Sequence, residues 1–356
     1  MSMISLVMIV KNEEYHLRKC LLSAKESVDE LIVVDTGSTD QTKQIAVECG
    51  AKVYDFAWTD SFAEARNFAL EQASGDWILV LDADEYLEPG SSALIKEFVS
   101  GPPAIGRINI ISKYLDNGEV RYARSPISRL FPKGVTYKGD IHEQVVSDLP
   151  HRLTLITVNH DGYYQTNKTE RNIPILQKEL QKDQNNPYLL MQLAREFKNK
   201  QDYVEADRYY SRAYPYLSKE DGYYPDFIVE YIYNLMKIGL LETGYQVIQM
   251  EKDNLTTFPD FHFCLGMFYM DYVLSNIAAH IDKLSLIEGS FLACLELGDQ
   301  RGQGGVIGTG SFLASYNLGV YYEVVGDTPK AIHYYTLSAE KDYSKAKERL
   351  HVLLKG

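Results

Sequence analysis

The run Trp77-Ile78-Leu79-Val80-Leu81-Asp82-Ala83-Asp84-Glu85 places two carboxylates, one residue apart, at the end of an apolar stretch. Residues 77–81 are apolar without alternation, which reads as a strand buried on both faces. In an open α/β sheet, ligands bind beyond the carboxyl ends of the strands. Asp82 and Asp84 have no basic neighbour in sequence. A pair of oxygen ligands together with a diphosphate is a common way to hold Mg2+ or Mn2+. Taken alone, an Asp-X-Asp could equally cap a turn.

The elements upstream decide how such a pair would be positioned. Ile4 to Val10 is a second apolar run, followed by Lys11-Asn12-Glu13-Glu14 and a helical pattern through Val28. Leu31 to Val34 predicts another strand, ending in Asp35-Thr36-Gly37-Ser38-Thr39-Asp40. Gly37 permits a tight turn. Ser38 with Gln41 predicts a capping box at the start of the next helix. Lys52 to Phe56 is a short strand, and Asp60 to Ala73 a helix containing Ala65-Arg66-Asn67. The alternation predicts a parallel sheet with crossover helices. Beyond Gly101-Pro102-Pro103 come strand-like runs at Ile108–Tyr114, Arg121–Tyr122 and Ser128–Phe131, with Asp116-Asn117-Gly118 as a hairpin signal. There is no Gly-X-Gly-X-X-Gly after the first strand and no Gly-Lys-Ser/Thr phosphate loop.

Ser5 to Glu14, Val34 to Asp40, Ala65-Arg66-Asn67 and Leu81 to Glu85 resemble, in order, the motifs of the inverting family-2 glycosyltransferases of the GT-A fold. The resemblance implies a Rossmann-like α/β GT-A domain in residues 1–165, a UDP-sugar donor (UDP-glucose or UDP-N-acetylglucosamine) and Mg2+ or Mn2+. It implies Asp84 as metal ligand, with Asp82 on the ribose or the metal. Asp35 would bond a uracil N–H and Arg66 the opposite edge of the base. Asn12 and Glu13 would line the same pocket with Val10 and Ala83. His160 would reach the metal or the diphosphate. Each has a plainer alternative: a helix N-terminal charge for Asp35, an ion pair with Glu64 or Asp60 for Arg66, a first-turn acid for Glu13, a structural histidine for His160.

An inverting displacement usually needs a carboxylate to take the acceptor's proton. Many family members carry it in an acidic pair that is absent here. Glu143, with His142 and Asp140 on the same segment, is the best substitute. The run Lys138-Gly139-Asp140-Ile141-His142-Glu143 and the later His160-Asp161-Gly162-Tyr163 resemble a subset of the family fused to helical repeats, nearest the bacteriocin (glycocin) S-glycosyltransferases. That implies a peptide or protein acceptor, joined through Cys or Ser/Thr.

After residue 165 strand signals vanish. Leu193, Ala194, Phe197, Ala206, Tyr210 and Ala213 recur as Leu318, Gly319, Tyr322, Ala331, Tyr335 and Ser338, the small/large pattern of a tetratricopeptide helix pair. Ile232, Leu235, Gly244 and Ile248 fit a degenerate copy. Leu265, Gly266, Tyr269 and Ala278 start another that breaks near Asp282–Glu288. Residues 166–356 therefore predict an all-α repeat domain, whose concave groove suits an acceptor polypeptide. The glycine-rich run Gly298–Gly310 reads as a flexible connection, since no strand precedes it and no Lys follows.

A net charge of −13 disfavours nucleic acid and anionic lipid as partners. No apolar stretch approaches the ~20 residues that span a bilayer, and no basic leader precedes the first strand. Cys20, Cys49, Cys264 and Cys294 fit no metal spacing and read as reduced core thiols, which suits a cytoplasmic enzyme. A homodimer is left open. The competing reading is a transferase of cell-surface polysaccharide or lipid-linked glycan synthesis, its repeats used for assembly contacts.

Overall fold

The computed structural model describes residues 2–116, 118–161, 169–300 and 304–355. Asn117, Gly162-Tyr163 and three residues of the glycine run, 301–303, lie outside the described residues. The chain divides into two compact units, the first running through Leu176 and the second starting at Gln177.

The first unit is α/β. Its elements are β1 (Ile4–Val10), α1 (Leu17–Ala24), β2 (Glu30–Asp35), α2 (Thr42–Glu48), β3 (Lys52–Asp55), α3 (Phe62–Glu71), β4 (Trp77–Val80), β5 (Glu85–Leu87), α4 (Ser91–Val99), β6 (Ile105–Asp116), β7 (Glu119–Pro132), β8 (Thr136–Lys138), β9 (Gln144–Val146) and β10 (His151–His160). The main sheet runs β3-β2-β1-β4-β7-β6-β10-β5, and β8 with β9 form a separate hairpin. β1, β2, β3 and β4 are mutually parallel, as the alternation predicts. β7 joins β4 antiparallel, pairing Leu79 with Leu130, and β6 and β7 form one long hairpin from Asp116 to Glu119.

The central strands are apolar on both faces because each face is covered. Leu6, Met8, Leu79 and Leu81 pack with Leu17, Cys20, Leu21 and Ala24 of α1, which recur at helical spacing. Val7, Ile32, Val34 and Val80 face Ala63, Ala69 and Leu70 of α3. One expected strand is shorter than its apolar run: β4 ends at Val80, and Leu81 to Asp84 turn the chain into β5, which the sequence reading omitted. β5 crosses to pair antiparallel with β10.

A buried carboxylate locks the amino-terminal edges of β1, β2 and β3. Glu30 accepts from the Ser5 hydroxyl (2.6 Å), the Lys52 ammonium (2.7 Å) and the Ser74 amide (2.9 Å). Burial opposes its ionisation, but Lys52, Ser5 and Ser74 outweigh it and carry the pKa from an ordinary 4.5 to about 2. A depressed acid stabilises the fold above its unfolded pKa and loses that contribution as pH falls through the folded one. Glu30→Gln should therefore cost about 2–3 kcal/mol at pH 7 and flatten the stability change between pH 4.5 and pH 2. Urea unfolding as a function of pH checks this. An unaltered acid limb would refute it.

The second unit is helical: α5 (Thr169–Leu180), spanning the division, is followed by α6 (Pro187–Asn199), α7 (Tyr203–Ala213), α8 (Tyr224–Lys237), α9 (Leu241–Glu251), α10 (Pro259–Ser275), α11 (Ile277–His280), α12 (Leu284–Leu297), α13 (Phe312–Val324), α14 (Thr328–Ala339) and α15 (Ser344–Leu353). The two segments matched by offset are α6–α7 and α13–α14, and Leu193, Ala194, Ala206, Tyr210, Leu318 and Tyr335 are all buried. The small residues make room for large ones. A Cβ on Gly319 would lie 2.5 Å from the Tyr335 ring, one on Gly266 2.5 Å from Phe291, and one on Gly244 2.7 Å from Phe268. The third copy does break, but earlier than Asp282–Glu288: α10 ends at Ser275, α11 is a short insertion, and α12, from Leu284, supplies the partner helix.

The described residues 304–310 of the glycine-rich run are held by side-chain hydrogen bonds, where a flexible connection was expected. Asp299 accepts from the amides of Gly308 (3.2 Å) and Gly310 (3.1 Å), and Asp260 from the Val306 amide (2.7 Å). All four cysteines are free and buried. No helix among the described residues is long and apolar enough to cross a membrane.

Candidate active site

The loops that follow β1 and β2 clamp each other. Asn12 sits in the left-handed region (φ 56°), which Asn tolerates better than most residues. Its amide donates to the Ser38 hydroxyl (2.8 Å), and its side-chain oxygen accepts from the Thr39 amide (2.8 Å). The Glu13 amide donates to the Thr42 hydroxyl (2.7 Å). The expected capping box does not form. Ser38 serves Asn12, Gln41 makes no side-chain cap bond, and Asp40 takes the Thr42 amide (3.0 Å). Val10 and Ala83 are buried in the core under this end of the sheet, and the Val10 carbonyl accepts from the Thr36 amide and hydroxyl (2.9 and 3.0 Å).

Asp35 closes β2. It is 2% exposed, and its Oδ1 accepts from the amides of Gly37 and Ser38, both at 2.9 Å. Gly37 can follow because its φ of 104° suits glycine. Oδ2 of Asp35 is buried and has no hydrogen-bond partner among the described residues. Buried carboxylate oxygens ordinarily find a donor.

A ladder of alternating charge runs through the residues that follow β4. Asp82 Oδ1 accepts from Arg66 Nη2 (2.8 Å), and Asp82 Oδ2 from Arg129 Nη2 (2.7 Å). Arg66 Nε also donates to Glu143, and Arg129 Nη2 to Glu85 (2.9 Å). The Asp82 amide donates back to Glu85 (2.8 Å). Burial opposes the charge on Asp82, but Arg129 and Arg66 hold its carboxyl well below the usual range. Burial raises the Glu85 carboxyl, with Arg129 opposing. Burial disfavours charge on Arg66 too, yet Asp82 and Glu143 keep it protonated, and its Nη1 is buried without a partner among the described residues. So Arg66 pairs with neither Glu64 nor Asp60. Its motif neighbour Asn67 grips β8 instead, giving to the Tyr137 carbonyl (2.9 Å) and taking from the Tyr137 amide (2.8 Å). That fixes the hairpin carrying Asp140, His142 and Glu143. The Asp140 carbonyl accepts from the Phe62 amide (2.8 Å) at the start of α3, and His142 has a left-handed backbone (φ 53°). Burial pushes the Tyr137 hydroxyl up to about 12.

Asp84 meets His160 from the far end of β10. Nε2 of His160 lies 3.4 Å from Asp84 Oδ2, and Nδ1 lies 3.1 Å from the Ser112 hydroxyl. Both side chains are about nine-tenths buried. Burial works against protonation of the imidazole, but the bond to Asp84 and its charge raise the pKa. At the rim, Lys19 donates to Asp161 (2.8 Å) and lies over the Tyr86 ring.

Sequence reasoning missed Arg129 and gave Glu85 no role. The available signal was an arginine in Ser128-Arg129-Leu130-Phe131, an otherwise inward-facing strand end. Among the described residues no three His, Cys, Asp or Glu side chains group as a metal cage. A carboxylate with an imidazole suits an ion that takes its remaining oxygens from a ligand, as Mg2+ and Mn2+ do with phosphates. Asp84 and His160 fit that donor set. Asp82, engaged through both oxygens, fits it less well.

Residues 5–148 match the family described as Glycosyl transferase family 2. Residues 5–148 thus carry a family-2 glycosyltransferase domain. A glycosyltransferase, SunS, of Bacillus subtilis is 29% identical over 202 residues, 53% of this chain and 47% of that protein. A TPR repeat-containing protein of Synechococcus elongatus is 42% identical over 151 residues, 42% of this chain and 37% of that one. The chain thus spans less than half the length of these relatives. A glucosyl-3-phosphoglycerate synthase of Mycobacterium tuberculosis, solved with Mn2+, UDP and phosphoglyceric acid, is 27% identical over 31% of this chain and 43% of its own, with a TM-score of 0.27. The glycosyltransferase domain thus includes Asp35, Arg66, Asp82, Asp84 and Glu143, whereas His160 lies past the matched residues.

Proposed function

We propose that the protein is an inverting, metal-dependent glycosyltransferase of the cytoplasm that moves a hexose from a UDP-sugar to a cysteine, serine or threonine of a peptide. The observation that carries the donor side is the pair of unsatisfied buried groups, Asp35 Oδ2 and Arg66 Nη1. An acceptor and a donor left without partners among the described residues would match the N–H and carbonyl edges of uracil. Cytosine lacks the N3–H that a carboxylate would take.

Asp84 and His160 would hold the divalent ion, which supplies charge stabilisation to the departing diphosphate. The chain's own groups orient the nucleotide. Asp35 takes the base N–H, Arg66 offers its remaining N–H group, and the Asn12–Ser38–Thr39 clamp keeps the Asp35 loop in place. Glu143, held on Arg66, would receive the acceptor's proton. The helical unit binds the acceptor polypeptide, a use to which stacked helix pairs are suited.

Calorimetry with UDP and CDP, followed by transfer assays with several UDP-sugars, tests the reading. UDP should bind more tightly than CDP. Asp35→Ala should weaken UDP by ~10–100-fold, the range for a hydrogen bond to a charged group. Equal affinity for the two nucleotides, or an unaffected Asp35→Ala protein, would defeat it.

A further inference from the structure

Arg129 stands outside every role assigned so far. It lies on β7, which runs antiparallel to the nucleotide-side strands. Its side chain is 8% exposed, and Nη2 alone touches two carboxylates, Asp82 Oδ2 at 2.7 Å and Glu85 Oε1 at 2.9 Å. Burying a guanidinium between two acids is a poor route to stability, because desolvation consumes most of the Coulombic gain. The arrangement closes a ring: Arg129 to Asp82, Arg129 to Glu85, and the Asp82 amide back to Glu85. The ring fixes Oδ2 and thereby leaves Oδ1 for Arg66 Nη2. Without it, the Asp82 side chain, 35% exposed, keeps only the bond to Arg66 among the described residues and is freer to turn to water.

We propose that Arg129 is a positioning residue for nucleotide binding: it clamps Asp82 so that Asp82 holds the Arg66 guanidinium in the orientation that leaves its buried Nη1 unpartnered for the uridine diphosphate. The inference rests on the donor assignment above. It makes Asp82 an arginine anchor, with the ion resting on Asp84 and His160. The effect of Arg129 on UDP must then be independent of metal.

The full-length protein is titrated with UDP by calorimetry, once in Mn2+ and once in chelator, and with Mn2+ alone by electron paramagnetic resonance. Arg129→Met should weaken UDP about tenfold in both media and leave Mn2+ affinity unchanged. Arg129→Lys should stay within about threefold of the unaltered protein, since one nitrogen makes both contacts. Should Arg129→Met fail to fold, the double variant Glu85→Gln/Arg129→Met, which loses a carboxylate along with the cation, carries the same comparison and should show the same loss. Undiminished UDP affinity in Arg129→Met overturns the proposal, as does a loss confined to Mn2+. Recovery in the double variant also overturns it, because Arg129 would then only neutralise Glu85. If the unaltered protein binds no UDP in either medium, the donor assignment itself falls, and this inference with it.

Discussion

Asp84→Ala is expected to abolish metal-stimulated turnover of a UDP-sugar, lowering kcat/KM by ~10³-fold, with the protein still folded. A divalent ion contributes several kcal/mol of charge stabilisation when a diphosphate leaves, and each 1.4 kcal/mol is about a factor of ten. Asp84 is the carboxylate that reaches His160. The local balance makes the ion's contribution large. Among the described residues, three carboxylates, Asp82, Glu85 and Glu143, share the two guanidinium groups of Arg66 and Arg129, so a diphosphate entering without a cation would meet surplus negative charge. Mn2+ binding should weaken in parallel with activity. Full turnover of the unaltered protein in excess chelator would remove the ion from the mechanism. Loss of activity in Asp84→Ala with intact Mn2+ affinity would move the metal site elsewhere.

What could be read from the sequence, and what could not, follows the range of each interaction. β1, β2 and β4 are legible because a strand covered on both faces must be apolar throughout, and that pattern is local. The repeat unit is legible for a similar reason. Gly319 and Tyr335 lie on adjacent helices, and their sizes compensate within one helix pair. The surroundings of Asp82 were not legible. Its lack of a basic neighbour in sequence argued for a cation, yet the fold brings Arg66 from 16 residues away and Arg129 from 47. Ser38 was misread as a helix cap for the same reason, because the amide it serves belongs to Asn12, 26 residues upstream. β5 is only Glu85 to Leu87, too short for any periodicity to show. Asp35 and His160 do close the strands whose ends the sequence marks, and Asp84 meets His160. The hydrogen bonds that leave the buried Asp35 Oδ2 and Arg66 Nη1 without partners among the described residues could be seen only in three dimensions.

Glu143→Gln separates two chemistries that share this site. The amide keeps an oxygen for Arg66 Nε, so the contact that seats Glu143 survives while the proton acceptor is lost. If Glu143 deprotonates a hydroxyl acceptor, kcat should fall by ~10²–10⁴-fold, with UDP-sugar affinity nearly unchanged. If the acceptor is a cysteine, the loss should be large at pH 6.5 and much smaller at pH 8.5. A thiol of pKa ~8.5 ionises on its own there, and the thiolate is the nucleophile. Peptides differing only in Ser or Cys at the accepting position, assayed at both pH values, make the comparison direct. Pairing with Arg66 leaves a third outcome. A variant with unaltered kcat at both pH values but weakened UDP-sugar binding would make Glu143 the counter-ion that orients Arg66. Proton transfer would then fall to Asp140 or His142, which the β8–β9 hairpin carries on the same segment.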